Sequence, residues 1–328
     1  MHQGSLVKTV VITQPGGPEV LKLSERPQPE PAGDEILVRV AGAGINRADL
    51  LQRAGGYPPP PGVVVDVPGL EYAGEVTATG PKAQCFAPGD RVMGLVPGGA
   101  YAEYLCVPEA TAMRVPEGMD LVAAAAIPEA FLTSYRALFL KGELEAGESV
   151  LIRAATSGVG LAAVQLAAFA GATVLAGSRQ PDRLPSLEEL GAAVAFEDCE
   201  DGARKVVGSA GADLALEFLG GRYFTENLEL LRSGGRLVLI GLLAGREASL
   251  DLGAVLTRQL HIHAFTMRSL PAYRRADITQ RFALRFLPAF ESGRLHPVVG
   301  ATYPLTDAAQ AHTDMQDGKV SGKLILVP

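Results

Sequence analysis

The hydrophobic positions follow two different patterns along the chain, and the change falls near Pro128. Before it, short β-branched runs at residues 7–12, 35–41 and 74–79 are bounded by glycine and proline. The weak alternation of apolar and polar residues at 37–40 is typical of a half-buried antiparallel strand. The first part of the chain is therefore predicted to be rich in β-structure.

From residue 149 onward, apolar strands alternate with helical segments. Strands are predicted at 149–155, 173–177, 192–196, 213–218, 236–240 and 261–265, and helices at 159–170, 186–190 and 222–231. The strands are continuous apolar runs, which is typical of a parallel sheet covered on both faces. Such strands with crossover helices predict an α/β fold with a doubly wound, Rossmann-type sheet.

The pattern changes again after about Ser269. A helix is predicted at 272–290, broken by Pro288, and strands follow at 298–303 and 324–327. Because this tail is too short to be a domain, we expect it to rejoin the first part. The predicted domains are a β-rich catalytic domain of residues 1–130 and 271–328 and a dinucleotide-binding domain of residues 131–270.

The composition of the chain argues against several classes of protein. The 328 residues are 48% hydrophobic, enough for a sizeable core, and the net charge of −7 argues against a nucleic-acid partner. The N-terminus lacks a signal-peptide pattern, and the apolar run 121–127 is too short to span a bilayer, so no membrane association is expected. Cys85, Cys106 and Cys199 are too few for a disulfide scaffold and are interpreted as small buried or incidental residues of a cytoplasmic protein.

The strongest motif is the turn Ser157-Gly158-Val159-Gly160, which continues to Ala163 as G-x-G-x-x-A. Gly158 permits a tight turn, Gly160 lets a pyrophosphate approach the backbone, and Ala163 lets the helix pack closely on the sheet. The helix N-terminus would supply free N–H groups to the phosphates. The alternative is a glycine-rich turn that is only structural.

The end of the second predicted strand indicates which dinucleotide binds. NAD-binding proteins usually carry Asp or Glu there, whereas this chain has Ser178 and Arg179, followed by Arg183. A hydroxyl and guanidinium groups suit a 2′-phosphate, so NADPH is favoured over NADH. The alternative is that Arg179 is a solvated surface residue.

A family resemblance is carried by the segments 44–53 (GINRADLLQR), 55–57 (GGY), 59–62 (PPPG), 68–71 (PGLE), 88–92 (PGDRV), 98–104 (GGAYAEY) and 127–133 (IPEAFLT). With the glycine turn, they make the chain resemble the zinc-free quinone oxidoreductases of the medium-chain dehydrogenase/reductase superfamily, especially the p53-inducible quinone oxidoreductase-like branch. The resemblance covers nearly the whole chain. It implies that the β-rich domain is GroES-like.

The same resemblance bears on metal binding. Zinc-dependent relatives carry Cys where this chain has Asn46, and His where it has Leu70 before Glu71. Since an amide and an isobutyl group cannot replace a thiolate and an imidazole, no metal is expected. His261, His263 and His296 are interpreted as packing residues rather than metal ligands.

By resemblance, the substrate lies over the nicotinamide in the cleft between the domains, lined by Asn46, Asp49 and Tyr57. Asn46 would donate to a substrate oxygen or a ribose hydroxyl. Asp49 would orient Asn46 or cap local structure, and these alternatives stay open. Tyr57 would stack on a flat quinone and hydrogen-bond it.

The resemblance also implies the contacts of the rest of the cofactor. The residues expected near the nicotinamide are Thr133, Gly241, Leu242, Phe265, Thr266 and Met267. Lys323 is interpreted as structural or cofactor-proximal. Asp198 lies near the family position of a tyrosine that contacts the 2′-phosphate, and a carboxylate there would repel that phosphate.

The leading hypothesis is hydride transfer from NADPH to a quinone without zinc. One alternative is reduction of an activated C=C bond in an enone, alkenal or enoyl thioester, with Tyr57 as proton donor. Another is an NADPH-binding protein without turnover. The predicted edge strand at 261–265 indicates a homodimer or tetramer, because apolar sheet edges are usually covered.

Overall fold

The computed structural model describes residues 5–199 and 201–328. The strands are β1 (Leu6–Ile12), β2 (Leu21–Pro27), β3 (Glu35–Gly44), β4 (Glu71–Thr79), β5 (Arg91–Leu95), β6 (Tyr104–Pro108), β7 (Ala112–Arg114), β8 (Ser149–Ile152), β9 (Thr173–Ser178), β10 (Val194–Glu197), β11 (Ala212–Glu217), β12 (Leu231–Leu239), β13 (His261–Ala264), β14 (Val299–Pro304) and β15 (Lys323–Val327). The α-helices are α1 (Arg47–Arg53), α2 (Leu121–Ala124), α3 (Pro128–Tyr135), α4 (Gly158–Phe169), α5 (Leu184–Glu189), α6 (Gly202–Val207), α7 (Arg222–Leu230), α8 (Leu252–Arg258), α9 (Ala272–Glu291) and α10 (Ala308–Gln316).

Within the described residues the chain forms two compact units. One contains the residues up to Leu132 together with Met267–Pro328, and the other is Thr133–Thr266. We call them the β-rich unit and the parallel-sheet unit, after their sheets.

The parallel-sheet unit has the strand order β10-β9-β8-β11-β12-β13, and the described neighbours pair in parallel. Counted from β8, this is the order 3-2-1-4-5-6 of dinucleotide-binding folds. The central strands are buried on both faces: Val150 and Ile152 on one face and Leu151 and Ala215 on the other are inaccessible to solvent. The predicted doubly wound sheet is therefore confirmed, and its topological switch point lies between β8 and β11.

The β-rich unit is built on a mostly antiparallel sheet of order β14-β15-β3-β4-β5-β7, with β6 also paired to β3. A separate antiparallel pair joins β1 and β2. Ile36, Val38 and Val76 fill the core behind the sheet, and burying each such side chain contributes about 1.5–3 kcal/mol. The tail of the chain supplies β15, which lies between β14 and β3.

Some predicted elements differ from the observed ones. The break expected at Pro288 is wrong, because α9 continues through Pro288 to Glu291. Buried Phe286 and Phe290 on either side anchor this helix in the core. β12 begins at Leu231 rather than at 236, and α6 and α8 were not predicted. The cap of Asp251, whose carboxylate accepts from the N–H of Ala254 at 3.1 Å, was a usable signal for α8.

Two further observations concern the surface. Cys85 and Cys199 are exposed and Cys106 is partly buried, so burial is the wrong alternative for the first two thiols. Across residues 5–199 and 201–328, every helix is too short or too polar to cross a membrane.

Candidate active site

The turn after β8 leads into α4 and exposes backbone donors. The hydroxyl of Ser157 accepts from the N–H of Gly160 at 3.1 Å, and the carbonyl of Ser157 accepts from Leu161 at 2.8 Å. The N–H groups of Gly158 and Val159 find no acceptor in the described part of the chain. They lie at the positive end of a twelve-residue helix, an arrangement that suits a pyrophosphate.

Gly160 also has a packing role that the motif did not indicate. A Cβ placed on it would lie 2.6 Å from the carbonyl oxygen of Ala155 and 2.7 Å from that of Ala154. The missing side chain therefore lets α4 start directly against the turn from β8. Ala154 itself has a φ of 51°, so this turn is tightly wound.

At the end of β9, the side chain of Ser178 is engaged in local hydrogen bonds, whereas that of Arg179 is exposed. The buried hydroxyl of Ser178 donates to the carbonyl of Gln180 at 3.3 Å and accepts from its N–H at 3.1 Å, which closes a local turn. Arg179 is exposed, and no side-chain partner for it is found in the described residues. Arg183 is half-buried in a 3-10 turn. Of the two arginines predicted at this strand end, Arg179 is thus the more exposed.

Asp198 lies beside Ser178, as its N–H donates to the carbonyl of Ser178 at 2.8 Å. Its carboxylate is bound by the buried guanidinium of Arg153, with an Nη2–Oδ1 distance of 2.7 Å. The charge of Asp198 can be read from the sequence but its partner cannot, because Arg153 is 45 positions away and follows a different strand.

The residues predicted near the nicotinamide follow two neighbouring strands. Gly241 and Leu242 come after β12, and Phe265 and Thr266 come after β13. The guanidinium of Arg136 stacks 4.6 Å from the ring of Phe265 and donates to the carbonyl of Thr266 at 3.2 Å. Thr133 begins this unit and is buried, whereas Met267 belongs to the β-rich unit.

In the β-rich unit, the side chain of Asn46 is held by two buried charges. Its Nδ2 donates to Glu71 Oε1 at 2.9 Å, and its Oδ1 accepts from Lys323 Nζ at 2.5 Å. Lys323 also forms an ion pair with Glu71 at 2.5 Å. Since an ammonium only donates and a carboxylate only accepts, the orientation of the amide is fixed. No partner of Lys323 could be predicted from the sequence, because Lys323 is 277 residues from Asn46.

Asp49 is fully buried and caps the start of α1. Its carboxylate accepts from the N–H of Asn46 at 2.8 Å and from the N–H of Gly69 at 3.0 Å. Burial raises the pKa of Asp49 to about 6, against the lowering effect of these hydrogen bonds and of Lys323 and Arg268. Of its two expected roles, local capping is the one these contacts describe.

Behind Asp49 runs a directed hydrogen-bond chain that the sequence did not indicate. Tyr101 lies 3.0 Å from His312 Nε2, and Arg53 lies 3.3 Å from His312 Nδ1. Because a guanidinium can only donate, Nδ1 accepts, Nε2–H donates to the Tyr101 oxygen, and the Tyr101 hydroxyl donates to Asp49 at 3.3 Å.

Arg268 contacts Tyr57 through both its backbone carbonyl and its ring. The buried guanidinium donates to the carbonyls of Tyr57 at 2.8 Å and Pro97 at 2.7 Å, and to Gln52 Oε1 at 2.6 Å. It also lies 5.2 Å from the centre of the Tyr57 ring. Arg268 therefore joins the loop of Tyr57 to the loop that follows β5.

Comparison with known proteins assigns the chain to a family. The model "Alcohol dehydrogenase GroES-like domain" matches residues 32–117, and "Zinc-binding dehydrogenase" matches residues 158–285. A quinone oxidoreductase from Lama guanicoe is 35% identical over 332 residues, covering 98% of each chain. The chain belongs to the quinone oxidoreductase-like branch of the medium-chain dehydrogenase/reductase superfamily. The predicted pairing of a GroES-like and a Rossmann-type domain is confirmed.

Solved relatives of this superfamily differ in their dinucleotide. An NAD-dependent alcohol dehydrogenase is 33% identical, with a TM-score of 0.88 and coverage of 98% of this chain and 99% of that one. A mycobacterial protein in complex with NADPH is 27% identical, with a TM-score of 0.88 and coverage of 98% and 100%. This chain is accordingly a nicotinamide-dependent oxidoreductase, and the free N–H groups of Gly158 and Val159 fit its dinucleotide.

The zinc named by one family model does not fit the residues found here. The carboxylate of Glu71 and the amide of Asn46 are already bound by Lys323, and Leu70 offers no ligand atom. No cluster of three or more His, Cys, Asp or Glu side chains suited to a metal occurs among residues 5–199 and 201–328. The ammonium of Lys323 lies 2.5 Å from both Asn46 Oδ1 and Glu71 Oε1, the oxygen atoms that these two side chains could otherwise offer to a metal.

Proposed function

We propose that this protein is a cytoplasmic, NADPH-dependent quinone reductase that works without zinc. The observation that carries the proposal is the cluster of Asn46, Glu71 and Lys323, which binds an internal ammonium in place of a metal. An ordinary ketone is a weak electrophile and benefits from a Lewis acid. A quinone is electrophilic by itself, because its reduction makes an aromatic ring, and therefore needs no metal.

Each unit has residues suited to its part of this reaction. The N–H groups of Gly158 and Val159 would hold the pyrophosphate, and Arg179 the 2′-phosphate. When bound, NADPH supplies a hydride. The ring of Tyr57, kept in place by Arg268, would stack on the acceptor, and its hydroxyl would hydrogen-bond an acceptor oxygen. The hydride carries two electrons, and a proton from water completes the hydroquinone.

We further propose that two copies pair through β13. This strand is the last of its sheet, with β12 on one side only. Ile262 on the strand and Leu252 and Leu256 on the neighbouring α8 are exposed. Apolar residues at a sheet edge favour coverage by another strand, and a second copy of this chain supplies one.

The proposed function is tested by steady-state oxidation of NADPH with a panel of quinones and enones. We expect turnover with benzoquinone-type acceptors that survives treatment with a chelator. Absence of acceptor-dependent oxidation, with NADPH still bound, would instead indicate a binding protein without turnover.

The variant Tyr57→Phe separates the two reductions. A quinone takes its last proton from water, so we expect only a modest loss of quinone turnover. Reduction of a C=C bond needs a proton donor at the α-carbon, so loss of all enone turnover alongside weak quinone activity would favour the enone reductase.

A further inference from the structure

Arg153 is among the largest fully buried side chains of the molecule, and all of its donors are used. Nε donates to Asp198 Oδ1 at 2.8 Å, and Nη2 reaches the same oxygen at 2.7 Å. Nη1 donates to Glu226 Oε2 at 2.8 Å and to Asn227 Oδ1 at 3.4 Å, and Nη2 completes the fork to Glu226 at 3.4 Å. The guanidinium also lies 4.6 Å from the ring of Tyr223. A cation held this completely has a fixed position.

This cluster lies at the carboxyl ends of the parallel strands. Arg153 is the residue after β8, and Asp198 is the residue after β10, with β9 between these strands. Asp198 touches the end of β9: its N–H binds the carbonyl of Ser178 at 2.8 Å, and a Cβ on Gly177 would be 3.4 Å from its own. In this fold the end of the second strand receives the adenosine ribose and any 2′-phosphate.

The charges at this strand end have opposite effects on a phosphate. A carboxylate next to the 2′ position repels a phosphate and tolerates a hydroxyl. The side chain of Asp198 is 3% exposed, so water screens its charge poorly. Arg153 offsets this charge with two N–H donors, at 2.7 and 2.8 Å from Asp198 Oδ1. The guanidinium also pairs with Glu226, whose side chain is 19% exposed, so the charge left on the cluster lies on the carboxylate that water screens better. The exposed guanidinium of Arg179 then stands as the free cation of this strand end in the described residues.

We propose that Arg153 is a specificity-determining residue for the dinucleotide: by neutralising Asp198 it allows a 2′-phosphate at the end of β9. Arg153 acts through Asp198 and is a positioning residue, not a catalytic one. The inference rests on the proposed use of NADPH, and it assigns that use to a buried ion pair rather than to the surface arginines alone.

The test is a set of binding titrations with NADPH and NADH, followed by the fluorescence of the reduced nicotinamide at about pH 8, which favours ionised carboxylates. The proteins are the wild type, Arg153→Met, Asp198→Asn and the double variant. Arg236→Met is the matched control, because Arg236 is a part-buried arginine of the same unit that pairs with Glu148, just before β8.

We expect Arg153→Met to weaken NADPH binding about tenfold relative to NADH binding, since one uncancelled charge acts on the 2′-phosphate alone. Asp198→Asn should strengthen NADPH binding relative to NADH, and the double variant should return the ratio to within about threefold of the wild type. Arg236→Met should leave the ratio unchanged. A purely structural role of Arg153 would weaken both dinucleotides equally.

An unchanged NADPH-to-NADH ratio in folded Arg153→Met, or failure of the double variant to restore the ratio, overturns the inference. If Arg153→Met does not fold, two other variants replace it. Arg153→Lys keeps the charge and should leave the preference for NADPH over NADH unchanged, whereas Asp198→Asn should still increase that preference. An unchanged preference in Asp198→Asn then overturns the inference. The binding titrations contain no electron acceptor, so they do not depend on turnover. A wild type that binds NADPH but reduces no quinone would contradict the proposed function, and the titrations would still test the role of Arg153.

Discussion

At the scale of single residues, each unit contains a buried ion pair that holds neighbouring polar groups. Lys323 is paired with Glu71 in the β-rich unit, and Arg153 is paired with Asp198 in the parallel-sheet unit. Removing one partner of such a pair leaves the other charge buried alone, at a cost of about 3–5 kcal/mol. Each pair therefore fixes neighbouring polar groups, the amide of Asn46 in one case and the strand end at Ser178 in the other.

The buried histidine gives a pH-dependent prediction. Burial and the Arg53 guanidinium lower the pKa of His312 from 6.5 to about 3. The unfolded chain takes up this proton below its ordinary pKa and the folded chain does not, so stability is lost as the pH falls from 6.5 toward 3. Between about pH 7 and 5 the wild type should lose about 2 kcal/mol more than His312→Gln, which hydrogen-bonds but does not titrate.

Chemical unfolding at both pH values measures this difference. The raised pKa of Asp49 works in the opposite direction, since its folded state binds a proton between about 4 and about 6 that the unfolded state releases. That contribution is present in both proteins and largely cancels in the comparison. Equal losses of stability in the two proteins would show that His312 does not stay neutral in the folded state.

At the scale of elements, the start of α4 depends on close contact with the turn from β8. The glycine at position 160 is required because a side chain would meet the backbone of Ala154 and Ala155. Because α4 starts against this turn, the N–H groups of Gly158 and Val159 lie in its first turn, directly after β8 and the turn. Helix packing and the proposed binding of the dinucleotide thus depend on the same close approach of backbone segments.

Gly160→Ala should therefore lower stability by about 1–3 kcal/mol and weaken NADPH binding. Thermal unfolding and binding titration measure the two effects. Gly253→Ala is the matched control, since Gly253 lies near the start of α8 in the same unit and its Cβ would approach only a side-chain atom, Asp251 Oδ1, at 3.2 Å, and no backbone atom. Comparable losses in both variants would contradict the role given to Gly160.

At the scale of the whole molecule, the exposed edge at β13 bears on assembly. If two copies pair there, a charge at Ile262 is repeated across the two-fold axis and repels its copy. Ile262→Asp should therefore convert dimers to monomers at micromolar concentration, as measured by light scattering. Leu284→Asp is the control, because Leu284 is 86% exposed and belongs to α9 of the other unit. A monomeric wild type, or dissociation by Leu284→Asp as well, would refute pairing through β13.

Local patterns were sufficient for most of the fold. The apolar run at 149–155 and the glycine turn at 157–160 predict β8, the start of α4 and the dinucleotide turn, because strand burial and turn geometry depend on neighbouring residues. The same local reasoning failed at Pro288, where burial of Phe286 and Phe290 outweighs the missing N–H of proline.

The sequence by itself determined the parallel sheet, the glycine turn at the start of α4 and the absence of zinc ligands at positions 46 and 70, since each depends on residue type and short spacing. The tertiary structure decided which charges meet: Lys323 with Asn46 and Glu71, Arg153 with Asp198, and His312 with Tyr101. These partners are tens to hundreds of residues apart. Their contact depends on how strands are ordered and packed, which no local pattern records.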